Sequence, residues 1–403
     1  MRSRFAGDQQ GAVAPIFAFA IIPILIVTGS VADYSRANAA RAAMFASLDA
    51  TALMLSKDAA TMSPEQVKAK ATSMFNAQFN RPEVANLNVD AFVTSPQAGS
   101  YTLTVTANGN VPTTFSKVFG QDQIDISTSA DVKWGVKKLE LALVLDNTGS
   151  MANNGKITEL KTAAKSLLTT LQNAAKQPGD VKVAIVPFDR IVNIGTGLAS
   201  SGFINFSANN IQQANWQGCV EDRDQPNDTL DTAPTTSSNA TKFRAVNCSG
   251  VTSIMPLTEI LDTTGFTNLN AKIDAMNPAG NTNVTIGLVW GWHALTKSEP
   301  MTEGSDPAPD KDKVIVLLTD GDNTQNRWST SGSAIDQRTA LACANVKAAN
   351  IKVYTVRVID GDATLLRNCA SKTNMYYNVN QASELNNVFS SIAQNLANLR
   401  IAK

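Results

Sequence analysis

The apolar residues of this chain follow three different patterns, and the first of them lies at the N-terminus. Residues 11–32, GAVAPIFAFAIIPILIVTGSVA, contain no charged side chain. At 1.5 Å per residue a helix of this length spans roughly 33 Å, which is enough to cross a hydrocarbon core of about 30 Å. The pattern predicts a transmembrane helix, with residues 1–10 as a cytoplasmic tail. The small residues at 30–32 also fit a signal-peptidase site, so a cleaved signal peptide is the alternative.

The second pattern covers the next hundred residues. Apolar side chains recur every three or four positions from Tyr34 to Leu55, which predicts a helical stalk over residues 33–80. This stalk could pack on a partner helix or on the rest of its own chain. Between residues 81 and 137, apolar and polar residues alternate, as in SYTLTVTANGNVP, and this alternation is typical of half-buried strands. We expect a small β-rich segment there, without chemistry of its own.

The third pattern begins at residue 138, where continuous apolar runs alternate with amphipathic helical stretches. The runs are LELALVL, VKVAIVP, VIVLLT and IKVYTVRVI. Strands that are apolar throughout are covered on both faces, so the alternation predicts a doubly wound, mostly parallel α/β sheet over residues 138–403. The polar stretch at 197–255 interrupts it. We interpret that stretch as a surface insertion held by a disulfide, with a poorly ordered loop as the alternative.

Composition removes several classes of function. Lys+Arg and Asp+Glu number 34 each, and this balance argues against a nucleic-acid-binding surface. The single histidine, His293, removes most histidine-dependent catalysis and most zinc sites from consideration. Because it lies in the apolar run IGLVWGWHAL, we expect it in the core.

Cysteine usage indicates the compartment. The four cysteines all lie in the second half, and none forms a CxxC pair; they are Cys219, Cys248, Cys343 and Cys369. Three pairings are possible, and four unpaired thiols remain an alternative. Paired cysteines suit an exported domain. Since they follow the predicted span, we expect a single-pass protein of the inner (cytoplasmic) membrane, with its N-terminus cytoplasmic and its bulk periplasmic.

Polar oxygens gather where the predicted strands end. DNTGS places Asp146, Thr148 and Ser150 directly after the apolar run LELALVL. In LLTDG, Asp320 follows the apolar run VIVLLT in the same way. GNTN supplies Thr282 just before an apolar helical run. Sheets of this type bind ligands beyond the carboxyl ends of their strands. Mg²⁺ prefers about six oxygen ligands, and hydroxyls add no charge, so such a site would leave the ion electrophilic. Ordinary helix capping is the simpler explanation of any one motif.

In this order on an α/β chain, DNTGS, GNTN and LLTDG resemble the three parts of the metal-ion-dependent adhesion site (MIDAS) of von Willebrand factor A (VWA) domains. The resemblance implies that Ser150, Thr148 and Thr282 are direct ligands of Mg²⁺ (or Mn²⁺ or Ca²⁺). Asp146 and Asp320 would lie close by or act through water. A vacant coordination position would then accept an Asp or Glu carboxylate from a partner protein.

The chain also resembles TadG-type proteins of the bacterial Flp (tight adherence) pilus system. The resemblance lies in GAVAPIFAFAIIPILIVTGSVADYSRANAARAAM and in the C-terminal part that begins CANVKAANIKVYTVRV. It implies a membrane anchor that carries an exported VWA domain implicated in pilus assembly or adhesion. Ile16 stands where pilin-related proteins have a glutamate five residues after the glycine, so processing by a prepilin peptidase is not expected.

We therefore expect a non-enzymatic, membrane-anchored extracytoplasmic protein of a Flp/Tad-type system that binds a partner protein, and not nucleic acid, through a MIDAS. Other pilus-assembly proteins are candidate partners. Two alternatives remain. DNTGS also resembles the DKTGT motif of P-type ATPases and haloacid-dehalogenase-type phosphotransferases, which would make Asp146 a nucleophile. The other alternative is a purely structural pilus scaffold with a non-binding VWA domain.

Overall fold

The computed structural model describes residues 13–59, 62–97, 100–135 and 137–401. The predicted cytoplasmic tail at 1–10 lies outside the described residues. The chain divides into two compact units, residues 1–135 and 136–402.

The first unit packs two helices on a three-stranded antiparallel sheet with the strand order β1-β2-β3. Its elements are α1 (Val13–Ala59), α2 (Pro64–Gln78), β1 (Ala85–Gln97), β2 (Ser100–Pro112) and β3 (Gln123–Gly135). Helix α2 begins with a capping box, in which the Ser63 hydroxyl accepts from the Gln66 backbone N–H and the Gln66 side chain accepts from the Ser63 backbone N–H. A proline at its first position is also favourable there.

Helix α1 continues without a break from the apolar span into the predicted stalk. Among the described residues it is the one helix long and apolar enough to cross a membrane. Its second half is buried against the sheet of the same unit along a stripe that includes Ala40, Met44 and Leu48. This stripe is displaced from the predicted one, so Tyr34 and Phe45 face outward. Of the two arrangements that the sequence left open, the structure has the stalk packed on its own chain.

The second unit is built on a six-stranded sheet with the order β10-β5-β4-β11-β12-β13. A four-stranded sheet, β6-β8-β9-β7, takes three of its strands from the polar insertion, and its fourth strand, β6, comes just before the insertion. Its elements are β4 (Lys138–Asp146), α3 (Lys156–Ala174), β5 (Val181–Phe188), β6 (Val192–Asn193), β7 (Ile204–Asn205), β8 (Cys219–Glu221), β9 (Phe243–Ala245), β10 (Met255–Glu259), α4 (Thr263–Asp274), α5 (Val284–Leu295), β11 (Lys311–Thr319), α6 (Gly332–Ala348), β12 (Lys352–Val358), α7 (Ala363–Cys369), β13 (Tyr376–Val379) and α8 (Leu385–Ile401).

Both faces of the six-stranded sheet are covered. Helices α3, α4 and α8 pack on one face, and α5, α6 and α7 pack on the other. All neighbouring strands are parallel except β10, which joins the edge antiparallel to β5. Neighbouring residues of β11 therefore enter different cores, as Leu317 and Leu318 do. The doubly wound, mostly parallel α/β architecture predicted from the sequence is confirmed.

The polar stretch at 197–255 forms packed structure. A disulfide joins Cys219 to Cys248, with a Cα–Cα distance of 5.3 Å. Trp216 and Phe243 from the same stretch are buried in the core that also contains α5. The second disulfide, Cys343–Cys369, links α6 to α7, so the pairing is sequential and no cysteine is free.

His293 is fully buried in this same core. Its ring lies beside Phe243 and Trp290, and its Nε2 is 3.2 Å from Nη2 of Arg223. Burial, and then the charge of Arg223, hold the pKa of His293 well below its usual value.

Candidate metal centre

The first part of the candidate site is the carboxylate that ends β4. Asp146 is fully buried: its Oδ1 accepts from the Thr148 backbone N–H at 2.8 Å, and its Oδ2 accepts from the Thr319 hydroxyl at 2.6 Å. Burial, followed by the charge of Asp320, raises its pKa to about 6, although hydrogen bonds from Thr148 and Thr319 oppose this shift. Asp146 therefore ties the ends of two adjacent parallel strands, β4 and β11, together.

The second part is a chain of hydroxyls on the turn after β4. The Thr148 and Ser150 hydroxyl oxygens lie 2.9 Å apart, and the Ser150 hydroxyl donates to Oδ1 of Asp320 at 2.6 Å. Ser150 lies in a short 3₁₀ helix, Gly149–Ala152, and Thr148 directly precedes that helix. Ser150 thus contacts the carboxylate after the neighbouring strand directly, and Thr148 is connected to it through the Ser150 hydroxyl.

The third part comes from the loop before α5. Gly280 has a φ of +77°, a left-handed conformation that glycine adopts readily, and its carbonyl accepts from the Gly149 N–H at 3.1 Å. A Cβ added to Gly321 would lie 3.6 Å from both the Ser150 Oγ and the Thr282 Oγ1. All five residues that the sequence singled out therefore lie close together beyond the carboxyl ends of β4 and β11.

A lysine that the sequence analysis missed also reaches this cluster. Lys156, at the start of α3, is only 3% exposed, and its Nζ donates to Oδ2 of Asp320 at 2.8 Å. A second carboxylate, Asp360, lies 3.5 Å from the same nitrogen but is largely exposed. Lysines normally face solvent, so nothing in the pattern GKITEL indicated a buried one. Asp146, Asp320 and Lys156 together carry a formal charge of −1 when all three are ionised.

The insertion contributes a buried carboxylate behind Thr282. Both carboxylate oxygens of Asp222 accept from Nδ2 of Asn283 at 3.0 Å, and Oδ2 also accepts from the Arg327 backbone N–H at 3.2 Å. Burial raises the pKa of Asp222 to about 6 despite these hydrogen bonds. Because Asn283 directly follows Thr282, the insertion helps to fix the loop that bears the third hydroxyl. The polar sequence of the insertion gave no sign of this contact.

The donor set is compatible with a hard cation. It consists of oxygens only: the hydroxyls of Thr148, Ser150 and Thr282 with the carboxylates of Asp146 and Asp320. Oxygen sets of this kind suit Mg²⁺, Mn²⁺ or Ca²⁺. Within the described parts of the chain, no three His, Cys, Asp or Glu side chains are grouped as metal ligands. Any ion bound at the carboxyl ends of β4 and β11 would therefore need the three hydroxyls among its ligands.

Two family models match the chain. Residues 228–391 match the von Willebrand factor type A domain, and residues 11–56 match the Flp pilus-assembly TadE/G-like family. The first match includes Thr282 and Asp320, whereas the DNTGS segment precedes it. No curated protein matches the chain in sequence.

Several solved structures are similar at low identity. The pilus adhesin SpaC from Lactobacillus rhamnosus GG shares 14% identity over 79% of this chain and 35% of its own, with a TM-score of 0.42. The vWF domain of the type V pili tip protein Mfa5 from Porphyromonas gingivalis shares 12% over 67% of this chain and 98% of its own, with a TM-score of 0.40.

Proximal thread matrix protein 1 from the mussel byssus, solved with a zinc-occupied MIDAS motif, shares 16% over 65% of this chain and 48% of its own, with a TM-score of 0.37. The chain thus spans about a third of the SpaC chain and about half of the mussel protein. With a TadE/G-like segment at its N-terminus and a von Willebrand factor type A domain after it, the chain matches a TadG-type pilus-assembly protein.

Proposed function

We propose that this chain is a non-enzymatic, membrane-anchored protein of a Flp/Tad-type pilus system whose VWA domain binds a partner protein through a divalent cation. Asp146, Thr148, Ser150, Thr282 and Asp320 would hold the ion, directly or through water. The observation that carries the proposal is the approach of the Ser150 and Thr282 hydroxyls to the same point beside Gly321. Helix capping explains each motif alone but gives no reason for three of them to converge.

The charges of the cluster favour a carboxylate partner. Two carboxylates and the Lys156 ammonium sum to −1, so a bound divalent cation would bring the site to +1. A vacant position on such an ion attracts an Asp or Glu side chain, and the dry surroundings strengthen that attraction. Lys156 would lower the affinity for metal through repulsion, and it would also hold Asp320 in place through its ion pair.

The proposed location follows from the N-terminal apolar helix and the two disulfides. The helix would remain as a single span of the inner membrane with its N-terminus in the cytoplasm. The disulfide-bonded second unit would then lie in the oxidising periplasm, where such bonds persist. Other proteins of the pilus system are the candidate partners.

Calorimetric titration of the full chain in lipid nanodiscs with Mg²⁺ and with Mn²⁺ tests the metal site. Thr282→Val removes a hydroxyl but keeps the shape of the side chain and the backbone hydrogen bonds of this residue. We expect it to abolish the binding heat, and Ser150→Ala to do the same. The matched control is Thr267→Val, an exposed position on α4, which should titrate like the unmodified chain. Equal titrations of the 282 and 267 variants would contradict the proposal.

Partner binding is tested in the native host. Cells whose only copy carries Thr282→Val should lose pilus-dependent attachment, whereas cells with Thr267→Val should keep it, and EDTA should reproduce the loss. If deletion of residues 139–403 leaves assembly and attachment intact, the second unit is not the binding element and the structural-scaffold alternative holds.

The phosphotransferase alternative has little support. No enzyme family is indicated by the matches. Asp146 is 0% exposed, so a phosphate group could not reach its carboxylate unless the residues packed around it moved apart. Beryllofluoride should therefore fail to bind at Asp146, as measured by NMR or intact mass.

A further inference from the structure

The loop between β2 and β3 exposes an unusual group of apolar side chains. In the five residues FSKVF, Phe115 is 51% exposed, Val118 is 78% exposed and Phe119 is 58% exposed. We call residues 115–119 the apolar loop. Single exposed apolar residues are ordinary, but a contiguous group marks a surface that is covered by something else.

The apolar loop is held against helix α1 by hydrogen bonds from three consecutive backbone N–H groups, those of its first two residues and of Thr114 just before it. The Asp33 carboxylate accepts from Thr114 at 3.0 Å, from Phe115 at 2.8 Å and from Ser116 at 2.7 Å. Hydrogen bonds to an ionised carboxylate are stronger than neutral ones. Asp33 is the first charged residue after the apolar span at 11–32. The loop is therefore fixed at the level where the span ends.

A glycine inside the span lets the loop approach closely. A Cβ added to Gly29 would lie 2.6 Å from the Cβ of Phe115, so Phe115 packs on bare helix backbone. Phe119 also lines an open groove with Ile26, Ser30 and Tyr34 of α1. At 1.5 Å per residue, Ile26 lies roughly 9 Å before the end of the span at residue 32. The loop thus descends beside the last turns of the predicted membrane helix.

We propose that the apolar loop inserts into the lipid bilayer beside helix α1 and gives the first unit a second membrane contact. This inference rests on the proposed membrane anchor. The occupant is lipid because the apolar surface is continuous with that of the span, where Ile22, Leu25 and Val27 are all more than half exposed. Lys117, exposed between the apolar side chains, suits the interface because its ammonium can reach lipid phosphate groups.

A second contact has a mechanical consequence. A single helix can tilt and rotate in a bilayer. A loop fixed to that helix and inserted beside it restricts both motions, so the first unit would keep one orientation relative to the membrane surface.

Site-specific labelling of the full chain in liposomes tests the inference. Because all four natural cysteines are paired, Val118→Cys introduces the only free thiol. The thiol is labelled with the fluorophore NBD, and the lipids carry a nitroxide near the carboxyl end of the acyl chain. We expect a blue-shifted emission and a loss of intensity that depends on the nitroxide lipid. A label at Lys133→Cys is the aqueous control and should show neither change. Lys133 lies ten residues after the start of β3, which places it roughly 33 Å along the strand from the end that adjoins the apolar loop.

A third label, at Val27→Cys inside the span, separates failure of the inference from failure of the anchor. Quenching at 27 without quenching at 118 would overturn the inference and leave the anchor standing. No quenching at 27 would overturn both. A blue shift at 118 without nitroxide quenching would mean that protein, such as a second copy of the chain, covers the loop, and would also overturn the inference.

Asp33→Asn in the Val118→Cys chain tests the role of the hydrogen bonds. Without the carboxylate charge the loop should be held less firmly, so quenching at 118 should fall while quenching at 27 stays the same. Unchanged quenching at 118 would show that Asp33 does not position the loop.

Discussion

The two units carry their unusual side chains at opposite extremes of burial. In the second unit a carboxylate, Asp146, is 0% exposed, whereas in the first unit an aliphatic residue, Val118, is 78% exposed. Most proteins show the reverse, because burial of charge is costly and burial of apolar surface is favourable. These two inversions underlie the two proposals, a cation site in the second unit and a lipid contact in the first.

The difference follows from the number of covered faces in each sheet. Strand β3 alternates between exposed residues and buried or half-buried ones, because only one of its faces packs on helices. Strand β4 is buried along nearly its whole length because helices cover both faces. The central residues of β4 and β11 are therefore all apolar, and the carboxylates Asp146 and Asp320 lie at the carboxyl ends of these two strands. In the first unit, by contrast, the loop between β2 and β3 exposes the apolar side chains Phe115, Val118 and Phe119.

The largest expected effect is that of removing one buried charge. Asp320→Ala leaves the Lys156 ammonium without its buried partner, which should cost about 3–5 kcal/mol of unfolding free energy. Val118→Ala should change stability by no more than about 0.5 kcal/mol, because the side chain is exposed. Urea unfolding of the full chain in detergent, followed by tryptophan fluorescence, measures both.

A paired substitution sharpens this result. Adding Lys156→Met to Asp320→Ala removes the unpaired ammonium and should restore most of the lost stability. If Asp320→Ala costs no more than Val118→Ala, the contrast in burial between the two units has no energetic meaning.

The second prediction concerns neighbouring positions within one strand. In β11, Leu317→Ala and Leu318→Ala should each cost about 2–5 kcal/mol, because the two side chains fill different cores. In β3 only Ile126→Ala should be comparably costly, whereas Ser127→Ala should cost about 0.5 kcal/mol or less. Hydrogen exchange of each strand, measured by mass spectrometry, reports the two units separately. Equal losses at 126 and 127 would show that both faces of β3 are covered.

The smallest expected effect is a change in pH dependence. Burial raises the pKa of Asp222 from 3.8 to about 6, so between these values the folded protein holds a proton that the unfolded chain has lost. Stability should therefore fall as the pH rises from about 4 to about 6, by at most roughly 3 kcal/mol from this group. Asp222→Asn should flatten the slope measured by urea unfolding across this window. Other carboxylates whose pKa burial raises, Asp146 among them, would contribute the slope that remains. Identical slopes for the variant and the unmodified chain would refute the assignment to Asp222.

The sequence predicted the main elements because their patterns report local burial directly. Continuous apolar runs marked the strands of the second unit, and alternation marked those of the first. The predicted stripe on α1 was partly wrong: Phe45 is 49% exposed and its neighbour Met44 is buried. Which side of an alanine-rich helix packs depends on the sheet it meets, and the helix sequence contains little information about that.

The sequence by itself determined the oxygen-bearing positions of the candidate site. Asp146, Thr148, Ser150 and Asp320 are visible as motifs that follow apolar strands, and Thr282 is visible as a motif before an apolar helix. Only the tertiary structure decided which other groups meet them. Lys156 pairs with a residue 164 positions away, and Asp222 reaches Asn283 across 61. Likewise, Asp33 holds a loop 81 to 83 residues further along the chain. Such contacts depend on how sheets and insertions fold back on each other, and no periodicity in a linear chain specifies that geometry.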